Sequence, residues 1–243
     1  VQGVNNFMAL TSQIQIPASL SDIITGVFGM DSRPVARPMF QVAKNEGNII
    51  STRASAQSFT ANKLATIYGF PPDATGKGQC IGIIELGGGF KQADIPHYFT
   101  GLGLTVPTVK AISVDGAPNS PSTPDGAEGE VMLDIEVAGA VANGESIAVY
   151  FAPNTDQGFL DAITQAVHDT VNKPSVISIS WGAAEVNWTT QALDNYNEAF
   201  KTAAALGVSI CVACGDSGSR DGETDGKVHV DFPASSPYAL ACG

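Results

Sequence analysis

The chain has 243 residues, enough for one sizeable α/β core with or without a smaller appended piece. Acidic side chains outnumber basic ones by 24 to 12, a formal charge of −12, which repels phosphate backbones and anionic bilayers and argues against nucleic-acid and membrane partners. No apolar run approaches the ~18 residues of a membrane-spanning helix.

The stretch starts at Val1 without an initiator methionine or a signal-like segment, and it stops at Gly243 straight after an apolar run, so both ends read as cuts through a longer protein. Near the start, Ser19-Leu-Ser-Asp22 has the form of a capping box opening an amphipathic helix, SLSDIITGVFG (19–29), and DSRPVARP (31–38) follows with two prolines. Residues from about Met39 to Thr60 are polar and without clear period, with Lys44 and Arg53 as basic points open to processing. This pattern predicts the end of a small unit (1–40), a linker (41–60) and an α/β domain (61–243).

From Cys80 onward short apolar runs alternate with amphipathic segments: CIGIIEL (80–86), a helix over 92–102, VKAISV (109–114), a helix over 128–142 and SIAVYF (146–151). A helix over 158–171, PSVISISW (174–181), a helix over 189–206, VSICVA (208–213) and YALACG (238–243) complete the series. Continuous apolar strands separated by helices predict a parallel sheet covered on both faces. In such sheets ligands bind beyond the carboxyl ends of the strands. That rule selects Glu85, Trp181 and Asp216, which end or follow apolar runs. The proline-rich loop DGAPNSPSTPDG (115–126) suits a substrate-facing loop or a plain surface loop, and DSGSRDGETDG (216–226) lacks EF-hand spacing and reads as an acidic turn.

Four cysteines are too few for a disulfide-built scaffold. Cys80, Cys211 and Cys242 lie in apolar runs and read as core residues, and no second cysteine pair completes Cys211-Val-Ala-Cys214 as a zinc site.

The segment GAEGEVMLDIEVAGA (126–140) carries the sharpest chemical signal. At 100° per residue Glu130 and Asp134 share a sector with Leu133, Val137, Ala138 and Val141, which predicts that both carboxylates point inward. Like charges one turn apart cost a helix roughly 0.2–0.5 kcal/mol and burying an unpaired carboxylate costs far more, so a structural role is awkward. The helix dipole accounts for Glu128 and Glu130 in the first turn but not for Asp134. Two close carboxylates share a proton, and such a dyad can activate a hydroxyl nucleophile. His97, His168 and His229 lie away from the predicted strand ends, so a histidine triad is not expected. Asp216 suits either an Asx turn or, protonated, an oxyanion donor.

The segments IGIIELGGGF, GEVMLDIEVAGA, IAVYFAPNTDQGFL, AITQAVHD, SVISISWG, ACGDSGS and VDFPASSPYALACG together resemble the serine-carboxyl peptidases, the sedolisin family, most closely its kumamolisin branch. The resemblance runs from about Ala61 to Gly243, and residues 1 to about 40 resemble the end of that family's inhibitory propeptide. It implies a subtilisin-like fold, incomplete at the C-terminus and preceded by the end of a small α+β propeptide domain. By motif match Glu130 is then the general base, Asp134 its orienter and Asp216 the protonated oxyanion donor, while Glu85 and Trp181 extend the network around the dyad. The family's nucleophilic serine lies in a downstream Gly-Thr-Ser triplet that this sequence lacks.

The expected function is therefore that of an acid-acting, secreted endopeptidase, represented here by a stretch without its serine. Its partners would be a protein or peptide substrate, its own propeptide and the C-terminal part of the catalytic domain. Calcium belongs to the full-length family fold, and no metal is expected in this stretch. The alternative is an inactive homologue that binds or inhibits. A nucleotide-binding domain ranks last, because Gly87-Gly88-Gly89 lacks the G-x-G-x-x-G spacing.

Overall fold

The computed structural model describes residues 7–10, 14–39, 59–121 and 127–243. The linker expected over 41–60, with Lys44 and Arg53, lies almost wholly outside the described residues, as do residues 122–126 of the proline-rich loop.

In chain order the elements are β1 (Arg37–Pro38), α1 (Ala61–Ile67), β2 (Cys80–Glu85), α2 (Asp94–Gly101), β3 (Thr108–Ser113), α3 (Ala127–Val141) and β4 (Ser146–Phe151). Then follow α4 (Asp156–Val167), β5 (Val176–Ile179), β6 (Trp181–Ala184), α5 (Thr190–Ala205), β7 (Ser209–Ala213), β8 (Asp231–Phe232) and β9 (Leu240–Cys242). Among the described residues, six strands form a parallel sheet in the order β3-β4-β2-β5-β7-β9, and a small antiparallel sheet has the order β1-β6-β8. The expected parallel α/β layering is present.

Both faces of the large sheet are covered. Ile83, Ile147, Val149 and Phe151 pack with Ile95 and Phe99 of α2 and Val131 and Ile135 of α3 on one side. Ile84, Ala148 and Tyr150 pack with Phe159 and Ile163 of α4 and Tyr196 and Phe200 of α5 on the other. Each fully buried Ile or Phe contributes about 1.5–3 kcal/mol, so the alternation of β2 and β4 between the two layers fixes their register.

The chain runs from β2 out to β3, returns to β4 and then crosses to β5 on the far side of β2. The strand order therefore reverses at the β2/β5 pair, where Ile84 lies opposite Ile179. The carboxyl ends of these neighbours form the crevice in which open α/β sheets bind ligands.

Five sequence expectations are corrected. No α-helix forms over 19–29: Ala18–Leu20 makes a single 3-10 turn, and residues 25–27 run past it along α5, bonded to Gln191 and Asn195. On α3 the buried positions are Glu130, Val131, Ile135, Gly139 and Ala140, while Leu133 and Val137 are 40% and 42% exposed. Apolar residues surround that helix, so periodicity did not select its face; Leu133 and Val137 line a groove with Leu64, Phe70 and Tyr98. The run 174–181 breaks at Ser180, which lets Trp181 start β6 in the small sheet. The helix expected to reach 171 ends at Val167, where Asp169 Oδ1 accepts the N–H groups of Val171 and Asn172. Finally, β9 is an exposed edge strand and Cys242 is exposed on it, Cys211 is half-buried and Cys214 exposed, so only Cys80 is a core cysteine.

Candidate active site

The site is built where β2, β5 and the first turns of α3 meet. Gly88 makes that approach possible. Its φ of +69° and the backbone of Ala127, which a Cβ there would meet at 2.6 Å, leave no place for a side chain. The triple glycine thus serves to bring the start of α3 against the end of β2. This packing explains the run without a nucleotide.

Glu85 ends β2 fully buried, and the indole N–H of Trp181 donates to its Oε2 at 2.8 Å. Glu130 is 1% exposed, and Asp134, one turn on, accepts the hydroxyl of Ser180 at 3.0 Å. Glu85 Oε1, Glu128 Oε2, Glu130 Oε2 and Asp134 Oδ2 are buried with no hydrogen-bond partner among the described residues. Glu85, Glu130 and Asp134, three neighbouring carboxylates with open, desolvated oxygens, cannot all ionise, so this cluster stores protons.

Burial, then the neighbouring Asp134, pushes Glu130 up to about 8. Asp134 rises to about 6 through burial, held back by hydrogen bonds from Ser180 and Glu130. Glu85 is held well above the carboxylate range by burial and by Asp134, with the Trp181 N–H working in the opposite direction. A donor hydroxyl reaching Glu130 Oε2 would favour its ionised form and pull it down. The geometry therefore supplies an oxygen that accepts a proton, a neighbour that orients it and a second carboxyl–indole pair that holds the frame.

Of the residues selected from sequence, Glu85, Glu130, Asp134 and Trp181 converge, and Asp216 is close enough for its charge to raise Glu130. The side chain of Asp216 is exposed. Gly215, at φ +86°, precedes it in the turn after β7. The histidines stay away as expected: His97 lies on α2, His168 Nδ1 pairs with Thr164 O, and His229 pairs with Asp225.

Sequence reasoning missed Ser180, Arg37, Asp221 and Asp231. Ser180 follows β5 directly in VISISW, and the strand end was the available signal. Residues 37–38 pair antiparallel with β6, Arg37 opposite Gly182 and Pro38 opposite Trp181, and Met39 N–H donates to Ser180 O at 2.8 Å. This extended stretch thus runs alongside Ser180 and Trp181, the residues that bond Asp134 and Glu85. The Arg37 guanidinium donates to the Asp221 carbonyl at 2.7 Å and to its carboxylate. Asp231, buried beside that pair, is pushed up to about 8 by burial and by Asp221. Among the described residues no group of three or more His, Cys, Asp or Glu side chains forms a metal-ligand set.

No protein-family model matches the chain. It is 52% identical over 242 residues to kumamolisin of Bacillus sp. (strain MN-32), which covers 98% of this chain and 44% of that protein. It is 29% identical to sedolisin of Pseudomonas sp. (strain 101), over 97% of this chain and 42% of that protein, and 28% identical to tripeptidyl-peptidase sed5 of Aspergillus fumigatus, over 95% and 40%. The chain thus spans less than half the length of these curated relatives. A solved structure of Pseudomonas sedolisin, a serine-carboxyl proteinase complexed with two molecules of pseudo-iodotyrostatin, superposes with a TM-score of 0.68 at 28% identity, over 78% of this chain and 54% of that one.

Proposed function

Since the chain belongs to the sedolisin family, is kumamolisin-like and has the α/β subtilisin-like fold, we propose that it is the propeptide end and first part of the catalytic domain of a secreted, acid-acting serine-carboxyl endopeptidase. Glu130 takes the proton of a nucleophilic serine supplied from outside this stretch, by the C-terminal part of the catalytic domain. Asp134 orients Glu130, and Ser180 orients Asp134. Glu85 and Trp181 keep the frame dry and fixed, and Asp216, when protonated, donates to the oxyanion of the tetrahedral intermediate.

The observation that carries this reading is the Glu130–Asp134 pair, with its buried open oxygens, next to a strand end along which an extended segment of the same chain is paired. Residues 37–39 lie along Ser180 and β6 as a peptide substrate would, main chain to main chain. On this reading residues 1–40 are the propeptide's last part, 41–60 carries the activation cleavage, and the propeptide blocks the site by imitating a substrate. The ion pair of Arg37 with Asp221 anchors this segment to the body of the domain.

The test uses the full-length precursor, shifted from neutral to acid buffer while self-processing is followed by mass. Glu130→Ala and Asp134→Ala should each abolish it. Normal processing in either variant would remove that residue from the proposed roles. A wild-type precursor that folds but never processes would instead mark an inactive homologue that binds or inhibits.

A further inference from the structure

Away from the carboxylate cluster, α5 carries two carboxamides one turn apart, and both are spent on the backbone of an extended segment. Gln191 Oε1 accepts Val27 N–H at 3.2 Å and its Nε2 donates to Val27 O at 3.0 Å, the bidentate pairing a neighbouring strand would make. Asn195 Nδ2 donates to Thr25 O at 3.1 Å, and its Oδ1 accepts the Thr25 hydroxyl at 3.2 Å. The same Nδ2 is steadied by Gln191 O at 2.8 Å.

The spacing explains the fit. Four residues along a helix rise about 6 Å, and two residues along an extended chain advance about 6.6 Å. A helix with amides at i and i+4 therefore matches the same-facing groups of an extended peptide at j and j+2. A second station repeats the chemistry: Asn154 Oδ1 accepts the N–H groups of Val35 and Ala36, both at 3.1 Å, and its Nδ2 donates to Ala36 O at 2.7 Å.

Side-chain selection enters at two points. A Cβ on Gly26 would meet Asn195 Nδ2 and Phe28 Cε2 at 2.8 Å, so a side chain between the two α5 contacts would displace the Asn195 amide that bonds Thr25. Phe28 packs against the buried core on the α4/α5 side of the sheet.

We propose that α5 and Asn154 form a peptide-binding exosite, separate from the cleft, that retains residues 25–36 by their main chain after the linker downstream has been cut. Its ligand class is an extended peptide with glycine between two main-chain contacts and an aromatic residue two positions after the glycine. That this segment is cut from the body in the working enzyme rests on the propeptide reading above; the binding itself does not.

The experiment uses the full-length precursor with the recognition sequence of an unrelated site-specific protease placed between residues 41 and 58. The precursor is cut at neutral pH, and loss of the N-terminal piece on dilution is followed by size-exclusion chromatography. The wild-type piece should co-elute with the body, and Gln191→Ala with Asn195→Ala should weaken retention about 30-fold, the loss of two to three hydrogen bonds. Gly26→Val alters the ligand and leaves the body untouched, and it should weaken retention to a similar degree. A wild-type piece that leaves as soon as it is cut, or a double variant that holds it equally well, would overturn the exosite. Because the cut comes from another protease, failure of the peptidase reading and failure of the exosite give different results.

Discussion

At the carboxyl ends of β2 and β5 buried carboxylates crowd around one hydroxyl and one indole, whereas along α5 and at Asn154 three carboxamides bond to main chain. The first region responds to pH because protons must be distributed among groups that cannot all ionise. The second contains no titrating group in its contacts. Residues 25–39 touch both, so one short segment meets a proton-sharing cluster at one end and contacts without titrating groups at the other. On the propeptide reading proposed above, the difference separates what keeps the segment attached from what keeps the cleft blocked.

The largest effect should come from removing the proton acceptor. Glu130→Gln in the full-length protein should lower peptidase activity by about 10³-fold, within the span of general-base contributions. The same variant should be more stable than wild type at pH 8, because an uncharged amide replaces a group whose ionisation the site disfavours. A lower thermal midpoint at pH 8 would show that Glu130 is chiefly a structural residue.

Next comes the pH slope of stability. Glu130, Asp134 and Asp231 are all held above their ordinary values, so the folded chain binds more protons than the unfolded one between about pH 4 and 8. Their stabilisation is complete below about pH 4 and is lost as pH rises through 6 towards 8. The thermal midpoint should therefore fall by about 5–10 °C from pH 5 to pH 8. Glu130→Gln with Asp231→Asn should flatten that fall. A midpoint that rises over the same interval would contradict the desolvated cluster.

Trp181→Phe keeps the packing and deletes the N–H that serves Glu85. Activity should drop about 10-fold with the upper limb of the pH profile displaced, since an orphaned carboxyl holds its proton more tightly. An unchanged profile would leave Trp181 as packing alone. The smallest effect belongs to the amide region: Asn154→Ala should lower the thermal midpoint by about 3 °C, equally at pH 5 and pH 8. An effect confined to one pH would break the contrast between the two regions.

The same contrast shows what was legible in the sequence. The strands and α2 to α5 could be read because the core dictates them locally, through apolar runs that must be covered on both faces. Glu85, Glu130, Asp134 and Trp181 could be read because a carboxylate in an apolar setting, or a residue at the end of an apolar strand, is conspicuous along the chain. The path of residues 19–29 was hidden, because Gln191 and Asn195, more than 160 positions away in sequence, bond its backbone in an extended form. Ser180 was hidden among neighbouring serines at 175 and 178. The inward face of α3 was hidden by a helix that is apolar nearly all round. Where a neighbour distant in sequence decides the outcome, periodicity carries no record of it.

The edge strand β9 has a practical consequence. Among the described residues it pairs with β7 alone, and Leu240 is 63% exposed on it. Its outer row of N–H and C=O groups is a template on which another strand can form. Two copies of this 243-residue stretch prepared in isolation could meet there edge to edge. Its melting temperature would then rise with protein concentration, and heat stability measured on the isolated stretch would report association as well as folding.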